Sequence, residues 1–250
     1  MTVPPDDGSL SSSTNLSIDP TRELDVDGNT STRERILKAA SRLIASRGYA
    51  GTSTRDIAEA VQIRQPSLFH HFRSKAAIVD ALLEHSLGQI AGPMSELAHS
   101  ESDASSRLYG CVYFDTRFLA SSPYSLAGLF TDEIMESPEF SRWKDIREDL
   151  HESVREMVRQ GIEDEEFISI DVDFAQRLIT ALNVITMNMH SDRQKSWAAQ
   201  FADDVATFAL RGLLNRISDL PEVRRSGVQI ADQLDALVAE HRLSQQESAD

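Results

Sequence analysis

Residues able to read a nucleic acid crowd into one short run, Arg64-Gln65-Pro66-Ser67-Leu68-Phe69-His70-His71-Phe72-Arg73-Ser74-Lys75, with Thr54 and Arg55 just upstream. Gln makes paired hydrogen bonds to adenine N6 and N7, and Arg does the same to guanine O6 and N7. Ser67, His70 and His71 can reach base edges or phosphates. An exposed Phe69 beside Pro66 suits a thymine methyl or a sugar. Thr54, Arg55 and Lys75 stand at helix starts, whose unpaired N–H groups attract phosphate. Leu68 and Phe72, four apart, supply the single apolar stripe such a helix needs to dock on its neighbours. Adjacent histidines point about 100° apart on a helix, so they cannot chelate one ion as an i, i+4 pair would; no metal site is expected. The plainer alternative is a solvated polar face on a small bundle helix. Against it stand a tight turn, local positive charge and an exposed aromatic.

The elements that must position these residues follow from capping and periodicity. Ser31 with Glu34 three residues on is a capping-box signature, and Ile36, Ala40, Leu43 and Ile44 give the stripe of a first helix ending before Gly48. Ser53 with Asp56 caps a short second helix that buries Ile57, Ala58 and Val61. Gln62-Ile63-Arg64 is the turn. Gln65 to Phe72 form a third helix, with Pro66 in the first turn, where its missing N–H does no harm. Ser74 caps a fourth, with a stripe of Ile78, Leu82 and Leu83. Helix, short helix, tight turn, helix is a helix-turn-helix inside a small bundle.

The stretch RERILKAASRLIASRGYAGTSTRDIAEAVQIRQPSLFHHFRSKAAIVDALL, about fifty residues, resembles the TetR family of bacterial transcription regulators. The pattern is a first helix ending in RGY, a second helix T-S-T-R-D-I-A, and a recognition helix ending in HHF before S-K. The resemblance implies DNA contacts from Thr54, Arg64, Gln65, Pro66, Ser67, Phe69, His70, His71 and Lys75. It also implies a three-helix head on an all-helical body that holds a ligand pocket and a dimer-forming helix pair. Three positions depart from the family pattern. Gln62 stands where Gly is usual, and a left-handed backbone there costs a non-glycine residue about 1 kcal/mol. Phe69 replaces Tyr and loses a phenol-to-phosphate hydrogen bond. Arg64 replaces a Ser or Thr cap and adds a charge.

Charge is distributed unevenly over the 250 residues. The net charge is −15, but residues 31–80 hold nine Lys/Arg against four acids, whereas residues 1–30 hold one Arg against six acids. A +5 segment therefore sits on an acidic body, and local charge decides where phosphate binds. Residues 1–30, rich in Ser, Thr, Asp and Pro, are expected to be a disordered tail, as are residues 244–250. Between them the expected units are a helix-turn-helix domain at 31–77 and a helical ligand-binding and dimerisation domain at 78–243. The fourth helix is expected to run to about Ile90 and break at Gly92-Pro93. Further helices are expected at 103–121, 124–135, 139–161, 172–190, 194–215 and 222–242, with no strand. The fold class is all-α.

In the body, Tyr109, Tyr113, Phe114, Arg117, Phe118, Tyr124, Phe130 and Trp143 fall close together in sequence. Such a set can line an apolar cavity with a few polar fixing groups, or form a plain aromatic core. The expected ligand contacts are Tyr109, Tyr113, Arg117, Phe118, Phe130 and Trp143, joined by Asn183, Met187 and His190. Helix 172–190 is apolar on two sides, and helix 194–215 carries Trp197, Phe201, Val205 and Phe208 on one face. Either these helices are a central core, or they pair with their copies in a four-helix interface through Phe174, Leu178, Leu182, Phe201, Val205 and Phe208.

Enzyme classes leave no mark: there is no P-loop and no G-x-S-x-G, and His151-Glu152 is followed by Arg155 where a zinc protease needs its second His. No cofactor is expected. The lone cysteine, Cys111, excludes an intrachain disulfide and fits a reducing cytosol. No apolar run is long enough to span a membrane, so a cytoplasmic location is expected. The expected function is a homodimeric regulator that binds double-stranded operator DNA, represses, and releases a palindromic operator when a small apolar or aromatic effector binds. The alternatives are an activator of the same family and an architectural DNA-binding protein without ligand.

Overall fold

The computed structural model describes residues 30–188 and 196–247, so the tail at 1–29, the last three residues and His190 lie outside the described residues. The head opens with α1 (Thr32–Arg47), α2 (Thr54–Ala60) and α3 (Gln65–His71). Both expected capping boxes form. Glu34 N donates to Ser31 Oγ at 3.3 Å and Ser31 N donates to Glu34 Oε2 at 3.0 Å. At α2, Asp56 N donates to Ser53 Oγ at 3.1 Å and Ser53 N to Asp56 Oδ2 at 2.8 Å. Two otherwise orphaned N–H groups are satisfied at each start. Gln62 does adopt the left-handed backbone, with φ of 60°. The guanidinium of Arg35 braces that turn by donating to Val61 O at 2.9 Å. Leu68 is fully buried and Phe72 nearly so, as the four-residue spacing requires.

α4 (Lys75–Leu83) starts on Ser74, whose Oγ accepts from Ala77 N at 3.1 Å. Its break does not fall at Gly92-Pro93. A π turn at Glu84–Gly88 intervenes, and α5 (Gln89–Ala98) runs through Pro93. Proline removes one rung of α5, whereas the π turn inserts an extra residue into the ladder and re-aims the chain earlier. The boundary expected between residues 77 and 78 falls inside α4. The head core of Ile36, Ile44, Ile57, Leu68 and Leu82 continues without a gap into Leu129, Met135, Phe140 and Trp143 of the body.

α6 (Ala104–Ala120) is the axis of the body, packed against α8 (Ser141–Glu163), α9 (Val172–Asn188), α10 (Ser196–Arg211) and α11 (Leu220–Glu247). The last helix thus reaches past residue 243, and 244–247 belong to it. α6 and α11 approach closely because both offer glycine. A Cβ on Gly110 would lie 2.8 Å from Gly227 O, and one on Gly227 would lie 2.8 Å from Tyr109 Cβ. Beside this crossing Tyr109 Oη donates to Asp203 Oδ1 at 2.6 Å, and Arg224 grips the same carboxylate at 2.6 and 2.9 Å.

The helix expected at 124–135 is instead a 3-10 turn at Ala127–Leu129 followed by the short α7 (Asp132–Met135). The cause is docking on α1. Ser125 N donates to Ser41 Oγ at 3.2 Å, and a Cβ on Gly128 would lie 2.7 Å from Ala45 Cα. Close backbone contact overrides the local helical pattern here. Among the described residues there is no strand, only one isolated bridge between Phe167 and Leu214. The chain is all-α, a helix-turn-helix head on a larger helical body.

Candidate DNA-binding surface and effector cavity

α3 presents Gln65, Pro66, Ser67, Phe69, His70 and His71 to solvent, and Arg64 stands exposed at its N-cap without capping its helix. Phe69 is 44% exposed, an unusual cost for a large aromatic on so short a helix. Gln65 Nε2 donates to Thr54 Oγ1 at 2.9 Å, so the start of α2 holds the side chain at the entrance of α3. Arg55 is exposed alongside. The expected contact residues of α3 are all exposed, and only Leu68 of that helix turns inward. Lys75 differs. Its ammonium donates to Tyr49 O at 2.5 Å and Thr52 O at 2.8 Å, and sits 3.9 Å from the centre of the Tyr49 ring. Two of its three donors thus hold the α1–α2 loop in place, which leaves one for a phosphate.

The body contains an apolar cavity of about 160 Å³ between the π turn, α5, α6, α8 and α9. Of the expected ligand contacts, Phe130, Asn183 and Met187 line it. Tyr109, Tyr113, Arg117, Phe118 and Trp143 do not. Tyr109 is fully buried against α10, where burial and the Asp203 hydrogen bond push its phenol well above the usual tyrosine range. Tyr113 lies under the Arg117 guanidinium, 5.0 Å from ring centre, and Arg117 pairs with Asp235 of α11. Phe118 stacks on His85 with ring centres 5.7 Å apart. Trp143 fills the junction between head and body and donates to Asp80 Oδ1 at 2.8 Å. The aromatic residues are mostly core, because rings that large pack against one another more readily than they leave a void.

The cavity is walled instead by aliphatic side chains such as Leu87, Ile90, Leu150 and Ile179, with Ser86, Asp115, Arg147, His151, Thr180 and Asn183 as its polar members. Asn183 Nδ2 donates to Asp115 Oδ2. Burial pushes the Asp115 carboxyl up to about 7. Burial also lowers His151, with Glu148 opposing and Arg147 reinforcing the shift. Asn183 Oδ1 and Arg147 Nε are both buried without a partner. Sequence reasoning passed over Asp115, although a lone acid inside the run Tyr109–Leu119 was the available signal. Arg147 and His151 gave none, since both sit in the highly charged α8.

The helix pair proposed for self-association leaves a broad apolar face uncovered. Phe174 is 53%, Leu178 51%, Ile185 55% and Phe208 71% exposed. Leu182, Phe201 and Val205 are half-buried on the same elements. An apolar groove of about 590 Å³ runs between Leu178, Leu182 and Phe208. Among the described residues no three metal-ligating side chains cluster, and no helix is long and apolar enough to cross a membrane.

Comparison with known proteins agrees with this layout. The family model described as "Bacterial regulatory proteins, tetR family" matches residues 36–82. The transcriptional repressor KstR2 of Rhodococcus jostii is 30% identical over 159 residues, which cover 62% of this chain and 78% of that protein. KstR2 of Mycobacterium tuberculosis is 28% identical over 187 residues, covering 73% and 93%. Its solved structure, described as a ketosteroid transcriptional regulator, superposes with a TM-score of 0.65 at 25% identity over 77% of this chain and all of that one. The AmtR structure from Mycobacterium smegmatis gives a TM-score of 0.67 at 26% identity over 80% and 95%. The chain belongs to the TetR family and is a DNA-binding transcriptional regulator, not an enzyme.

Proposed function

We propose that the chain is a homodimeric repressor that releases a palindromic operator when a small effector fills the cavity. The observation that carries this reading is that the cavity wall is made partly by the segments that hold the head. Ser86 and Leu87 of the π turn line it and continue directly from α4. Phe130 also lines it, and the segment around Phe130 is pressed onto α1 through Ser125 and Gly128. Three residues beyond Phe130, Glu133 accepts from Tyr49 N at 3.0 Å and from Ala50 N at 2.6 Å, in the loop that leads into α2. An effector that displaces Phe130 and Leu87 therefore pulls on the head at two points. It shifts the balance between two head spacings only by as much as its affinities for the two states differ.

Dimerisation is supported by the uncovered apolar face of α9 and α10, and by the reach of one short recognition helix, which reads too few base pairs for a genome-scale search. Gln65, Arg64, Ser67, Phe69, His70 and His71 are assigned to base edges and sugars. Thr54, Arg55 and the remaining donor of Lys75 are assigned to phosphate. Repression is favoured over activation because the KstR2 relatives are named repressors. In-vitro transcription from a promoter carrying a selected binding site tests this. Added protein should lower transcript yield, and a rise would assign the chain as an activator.

A further inference from the structure

We propose that the effector is a carboxylate on a compact apolar skeleton, held by Arg147, and that Asp115 takes up a proton when it binds. This rests on reading the cavity as the effector site. A void of about 160 Å³ is the size of the engineered apolar cavity that admits benzene. The skeleton is therefore a single small ring or a short branched chain.

The polar members of the wall decide the head group. Among the lining residues Arg147 is the one guanidinium and Asp115 the one carboxyl. They do not neutralise each other: none of the ion pairs among the described residues uses Arg147. Its Nε is buried with no acceptor. A buried donor left unmatched is costly, and a carboxylate is the acceptor that fits a guanidinium in both charge and geometry. His151 does not compete as a cation, because burial lowers its pKa. The Cys111 thiol is held neutral by burial. An ammonium ligand would leave Arg147 Nε orphaned and face a like charge.

Asp115 must then respond. An ionised Asp115 in the same wall would repel an incoming carboxylate. With a proton from solvent it becomes neutral, and its O–H can donate to Asn183 Oδ1, the amide oxygen now buried without a partner. A half-turn of the Asn183 amide accomplishes this, and its two N–H groups then replace the oxygen at the free end. The wall changes from presenting an acceptor to presenting a donor. The balance is one ligand anion and one solvent proton in, nothing out. The carboxyl already sits near 7, so the proton is available at neutral pH.

The test uses the full-length protein and four probes on one cyclohexane ring: cyclohexanecarboxylate, cyclohexanecarboxamide, cyclohexylmethanol and cyclohexylmethylamine. Calorimetry in buffers of different ionisation heat should show the carboxylate binding tightest, with net uptake of about one proton above neutral pH. Its affinity should fall by up to about tenfold per pH unit above that point. Arg147→Met should reduce carboxylate affinity to that of the carboxamide, and Asp115→Asn should keep carboxylate binding while abolishing both its pH dependence and the proton uptake. Helical circular dichroism checks that both variants fold. Tighter binding of the amine or the alcohol, carboxylate binding that is independent of pH, or no binding of any probe overturns the proposal. Carboxylate binding that leaves the protein on its selected DNA would instead overturn the effector reading while leaving the carboxylate site standing.

Discussion

Phe208→Asp separates the self-association face from the core of a single chain. Phe208 is 71% exposed on α10, so its replacement should leave the isolated fold within about 0.5 kcal/mol, as for an ordinary surface change. In a dimer the outcome differs. Phe174, Leu178, Ile185 and Phe208 are each more than half exposed, and burying that much of each is worth roughly 1–2 kcal/mol. Two-fold symmetry doubles the set, which gives about 8–16 kcal/mol against an association cost of roughly 4–15 kcal/mol. The substitution removes about 2–4 kcal/mol of this gain and places two carboxylates at the seam, at several kcal/mol each. At about 1.4 kcal/mol per decade the dimer should weaken by at least about four orders of magnitude. Sedimentation velocity should show a monomer with unchanged helical circular dichroism, and operator binding followed by fluorescence anisotropy should lose its specificity. A variant that remains dimeric, or that unfolds, refutes the reasoning.

Gln65→Ala should relax base preference at one position in each half-site at a cost of about 1–3 kcal/mol, measured by competition among single-base operator variants. Leu68→Ala, at a fully buried position under α3, should cost roughly 2–5 kcal/mol in urea unfolding. Gly128→Val should loosen the head from the body, because the new Cβ meets the Ala45 backbone at 2.7 Å and backbone cannot yield as a side chain does; hydrogen exchange in α1 should quicken. Because folding raises the Asp115 carboxyl to about 7, the native chain binds more protons than the unfolded one between the ordinary carboxylate range and neutrality. Stability therefore falls with rising pH across that window and levels off above about 7. Asp115→Asn should remove that slope and add up to roughly 2–4 kcal/mol at alkaline pH, with thermal denaturation at several pH values as the check.

The head was legible because its signals are local. Caps three residues apart, a four-residue apolar spacing and a turn that tolerates Gln62 each act within one or two turns of chain. The uncovered apolar face of α9, proposed above as the dimer seam, has a related origin: α9 carries two apolar stripes, and a single body covers only one. The cavity was not. Whether Tyr109 or Trp143 borders a void depends on what packs against it from α10, α4 and α11, far away in sequence. The polar groups of the cavity wall come from the π turn, α6, α8 and α9, and only packing unites them. The segment at 124–135 misled for the same reason, since its contact with Ala45 outweighs its own helical pattern.

Selection of duplexes from a random pool by the full-length protein, with the selected DNA then footprinted and the complex sedimented, tests the central claim most directly. The account predicts an inverted repeat bound by two chains, its half-sites one helical turn or a multiple of it apart, with protection that shifts in affinity and base preference when Gln65 is changed. Enrichment of no sequence above salt-sensitive background, or of a single unrepeated site bound by one chain, would contradict it.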